Sequence, residues 1–172
     1  MTTICNKYQS KRGFTIIETM VAVFVIITGV VGVYTLLQQT MASIRVVSSK
    51  LTASYLAQEG VEVVRNIRDS NWIKQETIPG ALWDAGIPAG DWEADYLNQS
   101  LVSGYSGSFL KTDANGYYSY SSGVNSKYQR KISIAKTGNY LIKVTVTMYW
   151  QNKGVNNTIV VQENLYDWKS RP

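Results

Sequence analysis

The chain contains no histidine at all. That removes the commonest general base and the commonest metal ligand, so any Ser-His or Cys-His nucleophilic arrangement is excluded. Its single cysteine is Cys5, near the start. A product lacking the first 13 residues would have neither a disulfide nor thiol chemistry. Prolines are scarce: Pro79, Pro88 and Pro172. The first 78 residues therefore hold nothing that breaks a helix on steric grounds. Acids number 12 against 17 Lys and Arg, a formal charge of +5. Three of those cations, Lys7, Lys11 and Arg12, fall in residues 1–13, which carry no acid. Without that leader, 14 cations stand against 12 acids, a net of +2. So small an excess is weak ground for a nucleic-acid partner.

What is present in quantity is apolar sequence. From Phe14 to Leu37 run 24 residues with one charge, Glu18, and the next charge is Arg45. As a helix the stretch spans roughly 36 Å, enough to cross a hydrocarbon core of about 30 Å. Its Val and Ile content is no handicap in lipid, where every backbone polar group must be paired internally. Basic residues flank only the N-terminal side, so the leader is expected in the cytoplasm and the rest outside. A secretory signal peptide is the rival reading, with Thr40-Met41-Ala42 as the cut site. Such a signal has an apolar core of about 7–15 residues, shorter than this one and uninterrupted by an acid. N-terminal sequencing separates the two, Ser43 marking the secreted product and Phe14 the alternative below. Glu18 itself lies in the first turn, where it favours the helix dipole by about 0.3–1 kcal/mol. An acid in a membrane segment is otherwise costly and tends to be kept for pairing. Gly29 and Gly32 lie inside the same helix at a spacing unlike the four-residue repeat of close helix dimers. They read as loose packing or as a local weak point.

The junction Lys11-Arg12-Gly13-Phe14-Thr15-Ile16-Ile17-Glu18 resembles the processing site of type IV prepilins and type II secretion pseudopilins. The resemblance implies cleavage after Gly13 by a prepilin peptidase and N-methylation of the new terminal residue, Phe14. A glycine at the cut suits this, since the absence of a side chain lets the peptidase approach the bond. It also gives Glu18 a partner: the amine freed on Phe14 of one subunit can neutralise Glu18 of a neighbour inside an apolar filament core. Implied partners are the peptidase and methyltransferase, other pilin or pseudopilin subunits, an inner-membrane assembly platform and membrane lipid. The implied location is the inner membrane, single-pass, then an extracytoplasmic filament. The resemblance points to a structural subunit of minor pilin or minor pseudopilin type, with no enzymatic role and no cofactor. An adhesion or DNA-uptake module carried on such a helix is the alternative.

Residues 38–68 extend the helical pattern, with Val47, Leu51, Tyr55, Leu56, Val63, Val64 and Ile67 at three- and four-residue steps. Glu59, Glu62, Arg65 and Arg68 run opposite, with signs suited to ion pairs within the helix. Asp69-Ser70-Asn71 reads as its end. The chain divides on this basis into a leader (1–13), a membrane helix (14–37), an amphipathic continuation (38–68) and a β-rich head (69–172).

In the head, Asp91–Tyr96 suggests a short strand with Trp92, Ala94 and Tyr96 on one side. Asn115-Gly116 before Tyr117-Tyr118 is a hairpin signal. Asp113-x-Asn115 has two residues of a calcium loop but not the twelve-residue ligand pattern, so no metal site is assigned. Tyr128–Ile134, residues 140–150 and Thr158–Trp168 read as strands, with turns at Thr137-Gly138-Asn139 and Asn152-Lys153-Gly154. Ile142, Val144, Val146, Met148 and Trp150 face one way and Lys143, Thr145, Thr147 and Tyr149 the other. Glu163 interrupts the apolar face of the last strand. The expected fold is α+β: a long N-terminal helix packed on an antiparallel C-terminal sheet of about four strands. No catalytic, phosphate-binding or metal-binding motif appears. The aromatics, Trp72, Trp83, Trp92, Trp150 and Trp168 among them, could stack on sugars or bases but more often fill cores and interfaces.

Overall fold

The computed structural model describes residues 13–97, 100–102 and 104–168. Cys5, Lys7, Lys11, Arg12 and the rest of the leader before Gly13 lie outside them. The chain divides into two compact units, Met1–Arg45 and Val46–Pro172. One helix, α1 (Ile16–Thr77), contributes to both.

In the first unit every described side chain from residue 13 to 41 is exposed, and this part of α1 is long and apolar enough to cross a membrane. Its threonine hydroxyls do not break the pattern, because they are returned to the backbone. Thr28 donates to the Phe24 and Val25 carbonyls at 2.9 and 3.0 Å, Thr35 to Val31 at 2.6 Å and Thr40 to Leu36 at 2.9 Å. A polar group paired in this way can enter an apolar medium without the cost of an unmade hydrogen bond. The helix is unbroken through Gly29 and Gly32, and nothing lies within 4 Å of where a Cβ would stand on either.

The second unit is a sheet covered on one face by the C-terminal half of α1. The strands are β1 (Gly90–Trp92), β2 (Phe109–Thr112), β3 (Tyr118–Ser119), β4 (Val124–Thr137), β5 (Leu141–Asn152) and β6 (Val155–Tyr166). All pairings are antiparallel, in the order β3-β2-β4-β5-β6, and β1 shares with β2 the same edge of β4. Among the described residues the sheet thus has six strands, where about four were expected. The three long ones are those the alternation marks; β1, β2 and β3 are too short to show a period. The expected strand at Asp91–Tyr96 shrinks to Gly90–Trp92, with Glu93 held by one bridge to Val102. Both predicted turns between the long strands form. The second is a two-residue hairpin with Lys153 at φ 47° and Gly154 at φ 80°, the paired positive values that a tight turn between right-twisted strands demands.

The core follows from two periods. On β5, Ile142, Val144, Val146, Met148 and Trp150 are buried, and on β4 so are Tyr128, Arg130, Ile132 and Ile134. From α1 come Ala53, Leu56, Ala57, Val61 and Val64. The helix face against the sheet is mostly small. A Cβ on Gly60 would stand 3.1 Å from both Arg130 Cδ and Val146 Cγ1, so helix and sheet approach each other tightly at Gly60. The stripe predicted from large residues is therefore rotated. Leu56, Val63 and Val64 are buried and Ile67 is half-buried, whereas Val47, Leu51 and Tyr55 are exposed, Val47 to 65%.

The helix also runs nine residues beyond the Arg68 end expected from Asp69-Ser70-Asn71. Asn71 does not terminate it, because its side chain is spent elsewhere. Its amide donates to the carbonyls of Trp83 (3.1 Å) and Ala85 (2.7 Å), tying down the segment that follows the helix. Gln75 does the same for Ala81 at 3.0 Å. Trp83 in turn donates its indole N–H to Asn139 O at 3.0 Å, and Ile87 is fully buried.

Candidate functional site

The residues singled out in the sequence, Gly13, Phe14 and Glu18, sit together at the start of α1. Gly13 to Thr15 precede the helix, and Phe14 is 81% exposed. Thr15 is the N-cap: its hydroxyl accepts the Glu18 backbone N–H at 3.3 Å. Thr15-Ile16-Ile17-Glu18 therefore follows the capping-box pattern, a Thr followed three residues later by Glu, which satisfies helix donors that would otherwise be orphaned. The sequence reading gives Glu18 a dipole role and an assembly role; the capping role, legible in the T-x-x-E spacing, is additional. The cap lies C-terminal to the Gly13–Phe14 bond and so belongs to the chain on either side of a cut there.

Among the described residues, the Glu18 carboxylate has no hydrogen bond or ion pair. Between Gly13 and Ser43 no cation is available to it in the sequence. The described part of this unit thus presents an exposed apolar helix with one unpaired acid near its tip.

The second unit pairs several of its charges between helix and sheet. Arg130 is fully buried between the sheet and α1. Its Nη1 donates to Leu56 O at 2.9 Å and to Glu59 Oε1 at 3.0 Å, and its Nη2 donates to Ala94 O. Arg65 Nη2 donates to both carboxylate oxygens of Glu163 at 2.6 Å, and Nη1 pairs with Glu62. The Glu163 bond, more than any other influence, raises the Arg65 pKa above its ordinary value. Glu59 and Arg65, expected on a solvated face, thus reach the sheet. Glu163 falls on the inward face because it answers Arg65. Arg130 was missed, although it shares the parity of Tyr128, Ile132 and Ile134 and so had to point inward.

Two acids of the second unit, buried Asp95 and half-buried Asp113, serve the backbone. Asp95 accepts the N–H groups of Leu97 (3.1 Å) and Tyr120 (3.0 Å). Asp113 accepts those of Asn115 and Tyr117, both at 2.9 Å, which closes the β2–β3 hairpin. Its carboxylate is thereby a turn-former, and no group of three or more His, Cys, Asp or Glu residues suited to a metal occurs among the described residues. Ser133 donates to Asp91 at 2.5 Å and, as the largest influence, lowers the Asp91 pKa.

A family model described as the prokaryotic N-terminal methylation motif matches residues 8–34. The match takes in the end of the leader, the Gly13–Phe14 junction, Glu18 and most of the apolar run. Comparison with curated proteins and with solved structures found no match. The methylation motif, the apolar helix and the antiparallel sheet that its second half packs against are consistent with the broad superfamily of type IV pilins and pseudopilins. They support a structural subunit of that general kind.

Proposed function

We propose that the chain is a subunit of a type IV pilus or a type II secretion pseudopilus, cleaved between Gly13 and Phe14, N-methylated on Phe14 and assembled through the N-terminal part of α1. The observation that carries this reading is the methylation motif laid over a helix whose side chains from residue 16 to 41 are all exposed. In a membrane those side chains meet lipid. In a filament they would meet the corresponding helices of other subunits, which replaces lipid contact with packing.

Glu18 supplies the electrostatic part of the proposal. Cleavage creates an amine on Phe14, and a carboxylate and an ammonium attract strongly once both leave water. Each would be costly alone in an apolar core, so the pair favours subunits docked in one register. Processing requires a peptidase and methyltransferase; assembly requires sister subunits and a platform in the inner membrane. The test is N-terminal sequencing and mass spectrometry of the protein isolated from its membrane. The proposal requires Phe14 as the first residue, carrying one added methyl group. A chain that begins at Met1 or Ser43 contradicts it.

A further inference from the structure

A cleft of about 730 Å³ lies over one end of the sheet, mainly on its outer face; Trp150, buried on the α1 side, and Lys127, bonded to Ser49 of α1, also line it. Its floor is one rung across four strands. Phe109 of β2 pairs with Gln129 of β4, Gln129 with Tyr149 of β5, and Tyr149 with Thr158 of β6. Three strand spacings make this row ~14 Å wide. Gln151 and Asn156, paired with each other, form the next rung on the same face.

One wall is the loop 104–108, which brings in Tyr105, and it is fixed from three directions. Glu93, buried, accepts through one carboxylate oxygen the Ser106 N–H (3.1 Å), the Ser106 hydroxyl (3.0 Å) and the Ser108 N–H (3.2 Å). Tyr105 N–H donates to Asp91 O at 3.0 Å, and the Gln129 amide donates to Gly107 O at 2.5 Å. A carboxylate is withdrawn from water only where charge-assisted hydrogen bonds compensate it, so this loop is held in place before any ligand arrives.

Among the described residues the lining is mostly aromatic and amide, with no carboxylate. Its one cation, Lys127, is already bonded to Ser49 Oγ (2.6 Å) and Asn152 Oδ1 (3.0 Å). Amides offer a donor and an acceptor side by side, which suits neighbouring hydroxyls. Aromatic rings offer an apolar body for C–H faces. A nucleic acid or an acidic saccharide would need several cations here. A peptide adding as a strand would pair in the plane of the sheet along the free edge of β6, beside the cleft and not across its floor. We propose that this cleft binds a neutral oligosaccharide. The site stands apart from processing and filament assembly, so it holds or fails whichever residue begins the mature chain.

The experiment uses the whole chain in a zwitterionic detergent that carries no sugar headgroup. Neutral tetrasaccharides built from glucose, galactose or N-acetylglucosamine are titrated against it, beside a heparin fragment and a single-stranded oligodeoxynucleotide. Saturation-transfer NMR and calorimetric titration report binding. The expected result is that at least one neutral tetrasaccharide binds and that Tyr149→Ala weakens it about tenfold or more. Phe109→Ala is expected to do the same, and because Phe109 is 45% exposed its loss leaves the fold intact even where Tyr149→Ala does not. Binding of none of the neutral sugars, binding of only heparin or DNA, or unchanged binding by a folded Phe109→Ala variant overturns the proposal.

Discussion

Arg130 on β4 and Glu59 on α1 form an ion pair at 3.0 Å, with Arg130 wholly excluded from solvent. The same guanidinium satisfies the carbonyls of Leu56 on the helix and Ala94 on the segment after β1. One side chain therefore clasps three parts of the second unit. Removing one partner of a buried pair leaves uncompensated groups behind. Arg130→Ala is expected to destabilise the chain by about 3–5 kcal/mol. Glu59→Gln keeps an acceptor at the same place and is expected to cost less, about 1.5–3 kcal/mol. Denaturant unfolding of the two variants measures both. Equal costs would show that the charge of Glu59, and not the enclosed guanidinium, dominates.

The close approach at Gly60 sets a second expectation. Ala at this position gains helix propensity of about 1 kcal/mol. Against this, its Cβ would press on Arg130 and on buried Val146, and overpacking a core costs about 1–3 kcal/mol. Gly60→Ala is therefore expected to be neutral or destabilising by up to ~2 kcal/mol, and Gly60→Val to be worse. At Gly29 and Gly32, where a Cβ meets open space, Ala is expected to leave the stability of the isolated chain unharmed. Thermal unfolding of these variants in detergent distinguishes the positions.

Tyr120 gives the second unit a signature at alkaline pH. Its hydroxyl donates to Arg130 O at 3.2 Å, and burial, the largest influence, pushes its pKa up to about 12. Unfolded, a tyrosine titrates near 10. The folded state thus keeps a proton that the unfolded state has lost, and stability falls as pH rises from about 10 to about 12. Below pH ~10 this contribution is intact. Tyr96, Tyr105 and Tyr128 are raised as well, so a tyrosinate absorbance titration is expected to show several late phenols with Tyr120 the last, and Tyr120→Phe is expected to remove that last step. A titration with no late component contradicts the burial of that hydroxyl.

The fold was largely legible where a period could run long enough to declare itself. Residues 140–150 alternate over eleven positions, and the buried set on β5 is the one that alternation marks. Phe14–Leu37 is apolar without interruption save at Glu18. What could not be read was set by partners distant in sequence. Asn71 reads as a helix stop until its amide is seen to bind Trp83 and Ala85. Val47, Leu51 and Tyr55 read as a core stripe, but a helix lying this close to a sheet needs small residues at the contact, and Ser49, Ala53, Ala57 and Gly60 supply them. At the N-terminus the junction residues stand out by type and spacing alone. The cap formed by Thr15 was legible as T-x-x-E and was overlooked because Glu18 already had a role.

That double role of Glu18 can be taken apart. Glu18→Gln keeps the N3 side chain of a capping box but loses the charge. Thr15→Ala loses the cap, at about 1 kcal/mol, and keeps the charge. If Glu18 pairs with a neighbour's terminal amine, Glu18→Gln and Glu18→Ala both leave cleavage at Gly13 largely intact and both reduce incorporation into filaments. Thr15→Ala is expected to incorporate far better than either. The reverse order, measured by immunoblotting sheared filaments, would assign Glu18 to helix capping alone.

The most direct measurement is mass spectrometry of the chain recovered from filaments sheared or extracted from cells, compared between cells with and without prepilin peptidase. The expected result is a chain in the filament fraction that begins at N-methylated Phe14, present only when the peptidase is present. A chain that still carries residues 1–13, or one confined to the membrane in both cell types, contradicts the proposal that it is a processed filament subunit.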